Sequence, residues 1–205
     1  MVAAVTIEPT SAQPQHLFRN VPWKTYVLLR EAIDEPHLKM TYCLGVLEIM
    51  SPLPPHEIKK KHLARLLELY AYVTRIELHP YGSTTFKNVE TQRGVEPDEC
   101  WCVGAALREV PDIVLEVIEM SPLLDKLVVY DGLAVPEVWL LDHGKLTIHR
   151  RKAKGGYALA RRSTFFPKLD PKLLERFLPR AYDNDALDEF AGRVKPKPAP
   201  RRKKR

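Results

Sequence analysis

Apolar and polar positions divide the first third of the chain into two helices and a hairpin. A helical pattern begins after Val21, where WKTYVLLREAI places apolar residues near helical spacing. Two β-type runs follow in LKMTYCLGVLEIM, residues 38–50, and their interruption at Gly45 indicates a hairpin. A long helix is predicted to begin near Pro55, since proline is favoured at the first helical position.

The middle of the chain carries the strongest strand pattern. Residues 112–120, DIVLEVIEM, are apolar at almost every position, which is typical of a central strand buried on both faces. Ser121 and Pro122 form an N-cap and first-turn pair for a helix over about residues 122–133. Mixed strands with helices before and after this strand predict one α/β domain. Shorter strands are expected at 77–81, 84–89, 95–103, 137–142, 145–151 and 156–162, and a last helix at 171–178.

The net positive charge of the chain comes from its last 13 residues. The 205 residues carry a formal net charge of +6, but residues 193–205 hold eight of the 32 Lys and Arg and none of the 26 Asp and Glu, so residues 1–192 carry −2. We expect a flexible lead-in over 1–19, a folded domain over 20–192 and a disordered basic tail over 193–205. The tail either attracts phosphate backbones or serves only as a solubilising extension.

Several function classes find no support in the sequence. No apolar run approaches the roughly 20 residues that a membrane-spanning helix needs. The first residues lack the basic start and apolar stretch of a secretion signal, so a cytoplasmic protein is expected. There is no Gly-rich phosphate loop, nucleophile-elbow serine or HExxH zinc motif. The three cysteines complete no zinc site and are expected in strands or in the core: Cys43, Cys100 and Cys102.

Glu116 is the most informative polar residue of the chain. It stands within the apolar run from Ile113 to Ile118, on the strand predicted to be buried on both faces. Burying an unpaired carboxylate is costly, so a positively charged partner is expected. That partner is either a divalent metal ion or, if Glu116 lies at the strand end, a Lys or Arg side chain.

Asp98 and Lys126 are candidates to join this acid in one site. Asp98 directly follows Pro97 on the strand predicted over 95–103, and two carboxylates on neighbouring strands make an oxygen-rich pocket suited to Mg²⁺ or Mn²⁺. Lys126 lies on the helix that leaves the central strand and packs back over the sheet, so its ammonium could reach both acids. The alternatives are a solvated acid and a snorkelling lysine.

Glu48 and His56 are two further candidates. Glu48 is the only acid in an otherwise apolar hairpin strand, and His56 lies in the first turn of the long helix, on the same stripe as Leu63. Both could face the pocket that contains the other acids. The alternatives are a wet-face strand residue for Glu48 and a helix-end polar group for His56.

The order of these segments resembles one protein family. The sequence is similar to the Uma-type restriction endonucleases, which are bacterial members of the PD-(D/E)XK nuclease superfamily, over roughly residues 20–150. The resemblance implies a restriction-endonuclease-like core, with a mixed β-sheet between helices and a metal-dependent phosphodiesterase site. The segments that carry it are LEIMSP with His56, EPD at 96–98, DIVLEV at 112–117, and the series Lys126, Tyr130, Val135, Glu137, Trp139 and Leu140-Leu141-Asp142.

The resemblance also implies roles for individual residues. Asp98 matches the Asp of the PD element, and Glu116 matches the second acid. The superfamily often has its lysine at the position of Ile118; in Uma-type proteins it is thought to have moved to the following helix, which points to Lys126.

The activity that the resemblance implies is hydrolysis of phosphodiester bonds in nucleic acid, with DNA expected. Asp98 and Glu116 would hold Mg²⁺ or Mn²⁺, and Lys126 would orient or help deprotonate the attacking water. Glu48 and His56 match the acid and the histidine around the MSP motif and would support the site.

Two alternatives to an active nuclease stay open. Glu119 takes the serine position of the family's Glu-Val-x-Ser-Pro, and the segment from Glu116 to Lys126 is shorter than usual. A protein of this fold without turnover would still bind nucleic acid or a protein partner. Alternatively, the acids and Lys126 form only a buried salt-bridge network. Cutting both strands usually needs two sites, so a homodimer is compatible with nuclease activity, but no stretch of sequence demonstrates an interface.

Overall fold

Strands outnumber helices in the part of the chain that the structure describes. The computed structural model describes residues 15–33, 35, 38–119 and 123–196. The strands within them are β1 (Gln15–Phe18), β2 (Lys39–Cys43), β3 (Val46–Met50), β4 (Leu78–Pro80), β5 (Phe86–Asn88), β6 (Arg93–Val95), β7 (Glu99–Val103), β8 (Ile113–Ile118), β9 (Glu137–Asp142), β10 (Lys145–Arg151) and β11 (Tyr157–Ala160). The helices are α1 (Trp23–Ala32), α2 (Pro54–Thr74), α3 (Lys126–Gly132), α4 (Pro171–Phe177) and α5 (Asn184–Val194), with a 3₁₀ turn over Leu178–Arg180. None of the helices in these ranges has the length and apolar character needed to cross a membrane.

The larger sheet places β8 in its interior. Six strands follow the order β11-β10-β9-β8-β7-β4. β8 and β9 run parallel, with Glu116 level with Leu140, and the other neighbours pair in antiparallel fashion. Residues 113–117 of β8 are all buried. The prediction of a central strand that is buried on both faces is confirmed.

The smaller sheet is antiparallel and is built around the predicted hairpin. Its five strands follow the order β1-β3-β2-β6-β5. Leu44 and Gly45 join β2 to β3 with positive φ values of 45° and 86°, as in the turns that match the twist of paired strands. β1 pairs with β3, so the flexible lead-in predicted over 1–19 is wrong for Gln15–Phe18.

Both faces of the larger sheet are covered by apolar layers. On one face, α2 covers Leu115 and Val117 of β8, with α4 and α5 packed beside α2. On the other face, Tyr130 of α3 packs against Val114. Glu116 shares the alternation of Val114 and therefore points into the α3 layer. Each aliphatic side chain fully buried in these layers contributes roughly 1.5–3 kcal/mol. The predicted α/β class, a mixed sheet flanked by helices, is confirmed.

Residues 95–103 do not form the single strand that the sequence predicts. The chain leaves the smaller sheet after β6 and enters the larger sheet at β7, with Glu96, Pro97 and Asp98 between them. Proline has no N–H to give to a strand ladder, which explains the interruption at Pro97. Asp98 therefore lies in a connection, one residue before β7, and not on a strand.

The helix predicted over 122–133 begins later in the structure. α3 starts at Lys126, and residues 123–125 are not helical. Asp125 caps the helix, because its side chain accepts a hydrogen bond from a backbone N–H of the first turn. The cap predicted at Ser121 lies outside the described residues.

Helix α5 is absent from the sequence-based prediction, whose last helix is at 171–178. Asp183 caps α5 by accepting a backbone hydrogen bond, and Phe190 buries its ring against the core. The helix runs two residues into the tail predicted over 193–205, so the predicted boundary is wrong there. Residues 197–205 lie outside the described part of the chain.

Gly94 on β6 allows a test of the packing between α1 and the smaller sheet. A Cβ added at Gly94 would lie 2.5 Å from Cε1 and Cζ of Tyr26, whose buried ring stacks on Tyr42 at 4.9 Å. We expect Gly94→Ala to lower the free energy of unfolding by about 1–3 kcal/mol. Urea unfolding measures the change.

The control for this substitution is a glycine on an exposed helical surface. At Gly192 in α5 an added Cβ would meet nothing within 4 Å. Gly192→Ala should therefore raise the free energy of unfolding by about 0.5–1 kcal/mol. Equal effects of the two substitutions would contradict the packing around Tyr26.

Candidate active site

One small cavity gathers charged side chains from both sheets and from two helices. Its volume is about 30 Å³, room for one or two water-sized groups. The residues that line it are Gln15, Lys39, Met50, His56, Asp98, Glu116, Val117, Ile118, Glu119 and Lys126. Acids and bases that are far apart in the sequence therefore meet at one place.

The buried carboxylate of Asp98 is engaged at both oxygens. Oδ1 is paired with Nζ of Lys39. Oδ2 lies 2.9 Å from Nε2 of His56 and accepts a 2.7 Å hydrogen bond from the backbone N–H of Val117. Burial alone would raise the pKa of Asp98, but Lys39 and His56 outweigh burial and hold this pKa well below its usual range. Asp98 is therefore ionised at neutral pH.

Glu116 is in the opposite electrostatic situation. Its carboxylate is buried on β8, where Oε1 accepts a hydrogen bond from the hydroxyl of Tyr130. Burial raises the pKa of Glu116 above its ordinary value, Lys126 offsets part of this effect, and the negative charge of Asp98 adds to it. Two neighbouring acids whose pKa values move in opposite directions are typical of functional sites, although structural ion networks also produce such shifts.

Lys126 is a buried lysine in the first turn of α3. Its Nζ donates a 2.6 Å hydrogen bond to Oγ1 of Thr41 and lies 3.5 Å from Oε2 of Glu48. Oε1 of Glu48 accepts hydrogen bonds from the backbone N–H groups of Leu123 and Leu124, at 2.8 and 3.3 Å. Oε2 is buried and has no hydrogen-bond partner within the described chain. The ammonium of Lys126 is thus the nearby charge that balances this oxygen.

His56 connects α2 to Asp98. Its Nδ1 lies 3.2 Å from Oε1 of Glu57, while Nε2 faces Asp98. Burial by itself would lower the pKa of His56, and Lys39 acts in the same direction. The hydrogen bond and the charge of Asp98 outweigh both, so the pKa of His56 is raised above its ordinary value. A protonated imidazole donates from both nitrogens, which suits two carboxylate neighbours.

The structure brings the five residues singled out in the sequence into one neighbourhood. Four of them line the cavity, namely Asp98, Glu116, Lys126 and His56. Glu48 lies behind Lys126, outside the cavity wall. Their roles in catalysis and metal binding stay predictions, because the structure contains only the protein.

Sequence reasoning assigned no site role to three residues of this neighbourhood, Lys39, Thr41 and Tyr130, although Tyr130 belongs to the series that carries the family resemblance. Lys39 opens β2 and is only 8% exposed. A lysine in an otherwise apolar hairpin strand is the same signal that singles out Glu48, so Lys39 could have been found. Thr41 and Tyr130 carry no such signal, because a hydroxyl is ordinary in a strand or on a helix and their partners are distant in sequence.

Charged groups of both signs surround the cavity. Within the described ranges, no group of three or more His, Cys, Asp or Glu side chains could hold a metal ion. The acids Asp98, Glu116 and Glu48 face the basic groups of Lys39, His56 and Lys126, and Glu119 on the cavity wall pairs with Lys59.

A mixed sheet between helices, with two acids and a lysine at one cavity, is the class of fold and site that the resemblance to PD-(D/E)XK nucleases implies. The chain belongs to the Uma2 family, described as "Putative restriction endonuclease", which matches residues 23–182. The family resemblance noted in the sequence is thereby confirmed.

Known structures and sequences add limited detail. The chain is similar to the crystal structure of a "putative nuclease belonging to DUF820" from Anabaena variabilis ATCC 29413. The two share 14% sequence identity with a TM-score of 0.48, over 77% of this chain and 99% of the other. No curated protein matches this sequence.

His56 makes a pH-dependent contribution to stability. Because its pKa is raised by folding, the contribution is complete below the unfolded pKa of about 6.5 and is lost as the pH rises through the folded value. We expect the free energy of unfolding to fall above about pH 6.5, and His56→Gln to remove that part of the fall.

Urea unfolding of the wild type and of His56→Gln across this pH range measures the effect. His143→Gln is the control, since His143 has a side chain that is 74% exposed. The same pH dependence in wild type and His56→Gln would contradict the prediction.

Proposed function

We propose that this protein is a metal-dependent endonuclease that hydrolyses phosphodiester bonds of DNA. The observation that carries the proposal is that Asp98, Glu116 and Lys126, from three separate parts of the fold, line one cavity. Membership of a family described as "Putative restriction endonuclease" supports the same activity. DNA as the substrate, the metal ion, a homodimeric state and a cytoplasmic location all belong to the proposal.

The residues at the cavity fit a Mg²⁺ or Mn²⁺ ion. Carboxylate oxygens are ligands that both ions prefer, and Asp98 and Glu116 would hold the ion. Mg²⁺ is usually bound through one or two carboxylates, with water and substrate phosphate completing its ligands, so a third acid is not required. The raised pKa of Glu116 supports the fit, because it marks a carboxylate whose charge is incompletely compensated by the protein.

The protein's own groups supply position and charge for the reaction. A bound divalent ion would polarise the phosphate and lower the pKa of a coordinated water. Lys126 would orient the attacking water and stabilise the negative charge that develops on the phosphate. Thr41 and Glu48 hold the ammonium of Lys126 from behind, so its position is set before a substrate arrives.

Neighbouring residues orient the two acids. His56 and the N–H of Val117 fix Oδ2 of Asp98, and Tyr130 holds one oxygen of Glu116. Such outer contacts reduce the reorganisation that the acids would undergo during the reaction. The basic segment at the end of the chain would add salt-dependent affinity for phosphate backbones.

A second candidate is a nuclease-fold protein that binds nucleic acid or a protein partner without cutting. Both oxygens of Asp98 are already engaged by protein groups, as a purely structural ion network would require. Glu119, at the position where the family has serine, lines the same cavity and pairs with Lys59 at 2.7 Å. These two observations favour the second candidate.

A plasmid-nicking assay with Mg²⁺ and with Mn²⁺ separates the two candidates. We expect Asp98→Asn, Glu116→Gln and Lys126→Gln each to reduce nicking about 100-fold or more, because each removes a group acting on the phosphate or its ion. Chelation by EDTA should abolish nicking. Asp142→Asn and Lys87→Gln are matched controls on exposed side chains and should leave nicking unchanged.

Thermal unfolding of each variant shows whether a loss of nicking reflects a loss of folding. This control is needed because Asp98→Asn leaves the buried Lys39 without its ionic partner. Nicking that persists in folded Glu116→Gln would contradict the proposal. DNA binding by the wild type without nicking at any metal concentration would favour the second candidate.

A further inference from the structure

One segment, the β10–β11 hairpin with the loop that follows it, concentrates the positive charge of the folded part of the chain. Residues 143–169, which include β10 and β11, contain eight Lys and Arg and no Asp or Glu. The rest of residues 1–192 contains 16 Lys and Arg against 26 Asp and Glu, a net charge of −10. Residues 1–192 are nearly neutral in total, but their positive and negative charges are distributed very unevenly along the chain.

Five of these eight cations lie along an open edge of the larger sheet. Among the described strands, β11 lies at the edge of the sheet and pairs with β10 alone. A groove of about 600 Å³ follows it, and apolar residues of β11 and basic side chains line this groove without any acid. The basic residues are Arg150, Arg151, Lys152, Arg161 and Arg162.

Acids near the groove neutralise this charge only in part. Arg151 is paired with an acid at 2.8 Å. Arg150 and Arg162 are 3.7 Å from their nearest acidic partners. Lys152 and Arg161 form no ion pair with any described residue and are exposed. A polyanion would therefore find charge that is both accessible and uncompensated.

Strand register relates the groove to the cavity. Leu115 on β8 and Ala160 on β11 lie at the same level of the sheet. Glu116 directly follows Leu115, and Arg161 directly follows Ala160, the last residue of β11. Arg161 thus lies near the level of Glu116, three strand spacings or roughly 14 Å away. Duplex DNA carries one charge per roughly 1.7 Å of its axis, so a duplex at the cavity would offer phosphates over this distance. The row that establishes the register is Leu115, Trp139, Ile148 and Ala160.

We propose that the β10–β11 hairpin is a second docking surface, outside the cavity, for the phosphate backbone of duplex DNA. The choice of DNA as partner rests on the proposed function, whereas the charge and exposure of the surface do not. Guanidinium groups suit this role, because their paired N–H donors match two phosphate oxygens.

The test measures binding of the full chain, not cleavage. Fluorescence anisotropy gives the affinity for a labelled duplex in EDTA over a range of salt concentrations. Combined Lys152→Gln, Arg161→Gln and Arg162→Gln should weaken binding about tenfold or more at low salt and reduce the slope against log salt by about 2–3.

A control removes the same charge elsewhere on the exposed surface. Combined Lys24→Gln, Lys87→Gln and Arg176→Gln should change the affinity by no more than about twofold. Equal weakening by both sets, unchanged affinity in the hairpin variant, or no duplex binding by the wild type would overturn the proposal. So would a preference for anionic vesicles over the duplex. A wild type that binds through the hairpin but nicks no plasmid supports this surface and overturns the nuclease function.

An independent observation concerns Lys39. Its ammonium lines the cavity, pairs with Oδ1 of Asp98 and lies 3.4 Å from the carbonyl oxygen of Pro97. Burial alone would lower the pKa of Lys39, but the carboxylates of Asp98 and Glu116 raise it above its ordinary value. The ammonium of Lys39 therefore contacts Asp98 directly and shares the cavity with Glu116.

We infer that Lys39 is a built-in counter-cation of Asp98 and Glu116 and that it weakens the binding of a divalent ion at the cavity. This inference rests on the metal site of the proposed function. Without an added ion, the ammonium compensates two buried acids that would otherwise repel each other. With an ion bound, the same ammonium repels it.

Calorimetric titration with Mn²⁺ tests the role of Lys39. Lys39→Gln, which keeps an N–H donor for Asp98, should bind Mn²⁺ about tenfold or more tightly than the wild type. Lys87→Gln removes the same charge outside the cavity and should bind as the wild type does. Lys39→Arg keeps the positive charge at the same position and should bind Mn²⁺ about as tightly as the wild type does.

The outcomes distinguish a failure of the inference about Lys39 from a failure of the proposed metal-dependent function. Equal or weaker Mn²⁺ affinity in folded Lys39→Gln, or tighter Mn²⁺ binding by Lys39→Arg that matches Lys39→Gln, overturns the role of Lys39 while the metal site stands. If neither protein binds Mn²⁺, both the inference and the metal-dependent function are wrong.

Discussion

The ion pair and hydrogen bonds of Asp98 tie the two sheets and a helix to one buried charge. Its partners are Lys39 from the smaller sheet, His56 from α2 and the N–H of Val117 from the larger sheet. Breaking a buried pair by removing one partner costs about 3–5 kcal/mol, a large share of a domain's stability. The sheets therefore cannot shift against each other without exposing or isolating this carboxylate, and the contacts that hold the fold together also shape the cavity.

Basic groups compensate the negative charges of Asp98 and Glu116, the two acids of the cavity, to different degrees. Asp98 is held by two basic groups and a backbone N–H, so its charge and orientation are fixed. Glu116 has a tyrosine hydroxyl and only the more distant influence of Lys126 and Lys39, and its pKa is raised by burial. One acid is thus held by direct contacts with two basic groups, whereas burial governs the pKa of the other.

Features with a local signal could be predicted from the sequence, and features that depend on distant partners could not. The apolar run at 112–120 identifies β8, and acids within apolar runs identify Glu116 and Glu48. β1 is short and is stabilised through its pairing with β3, so no periodicity reveals it. The contact between Lys39 and Asp98 joins residues 59 positions apart and depends on how the two sheets meet. A single sequence contains no local trace of that arrangement.

The anchoring of Glu48 has a consequence for the chain that leads into α3. Its Oε1 holds the backbone N–H groups of Leu123 and Leu124, and Asp125 then caps the helix. The place where Lys126 emerges is thus dictated by a strand of the smaller sheet, and not by the number of residues that separate it from β8. Because this tether lies just before α3, it ties the start of the helix to the smaller sheet as well as to the connection from β8.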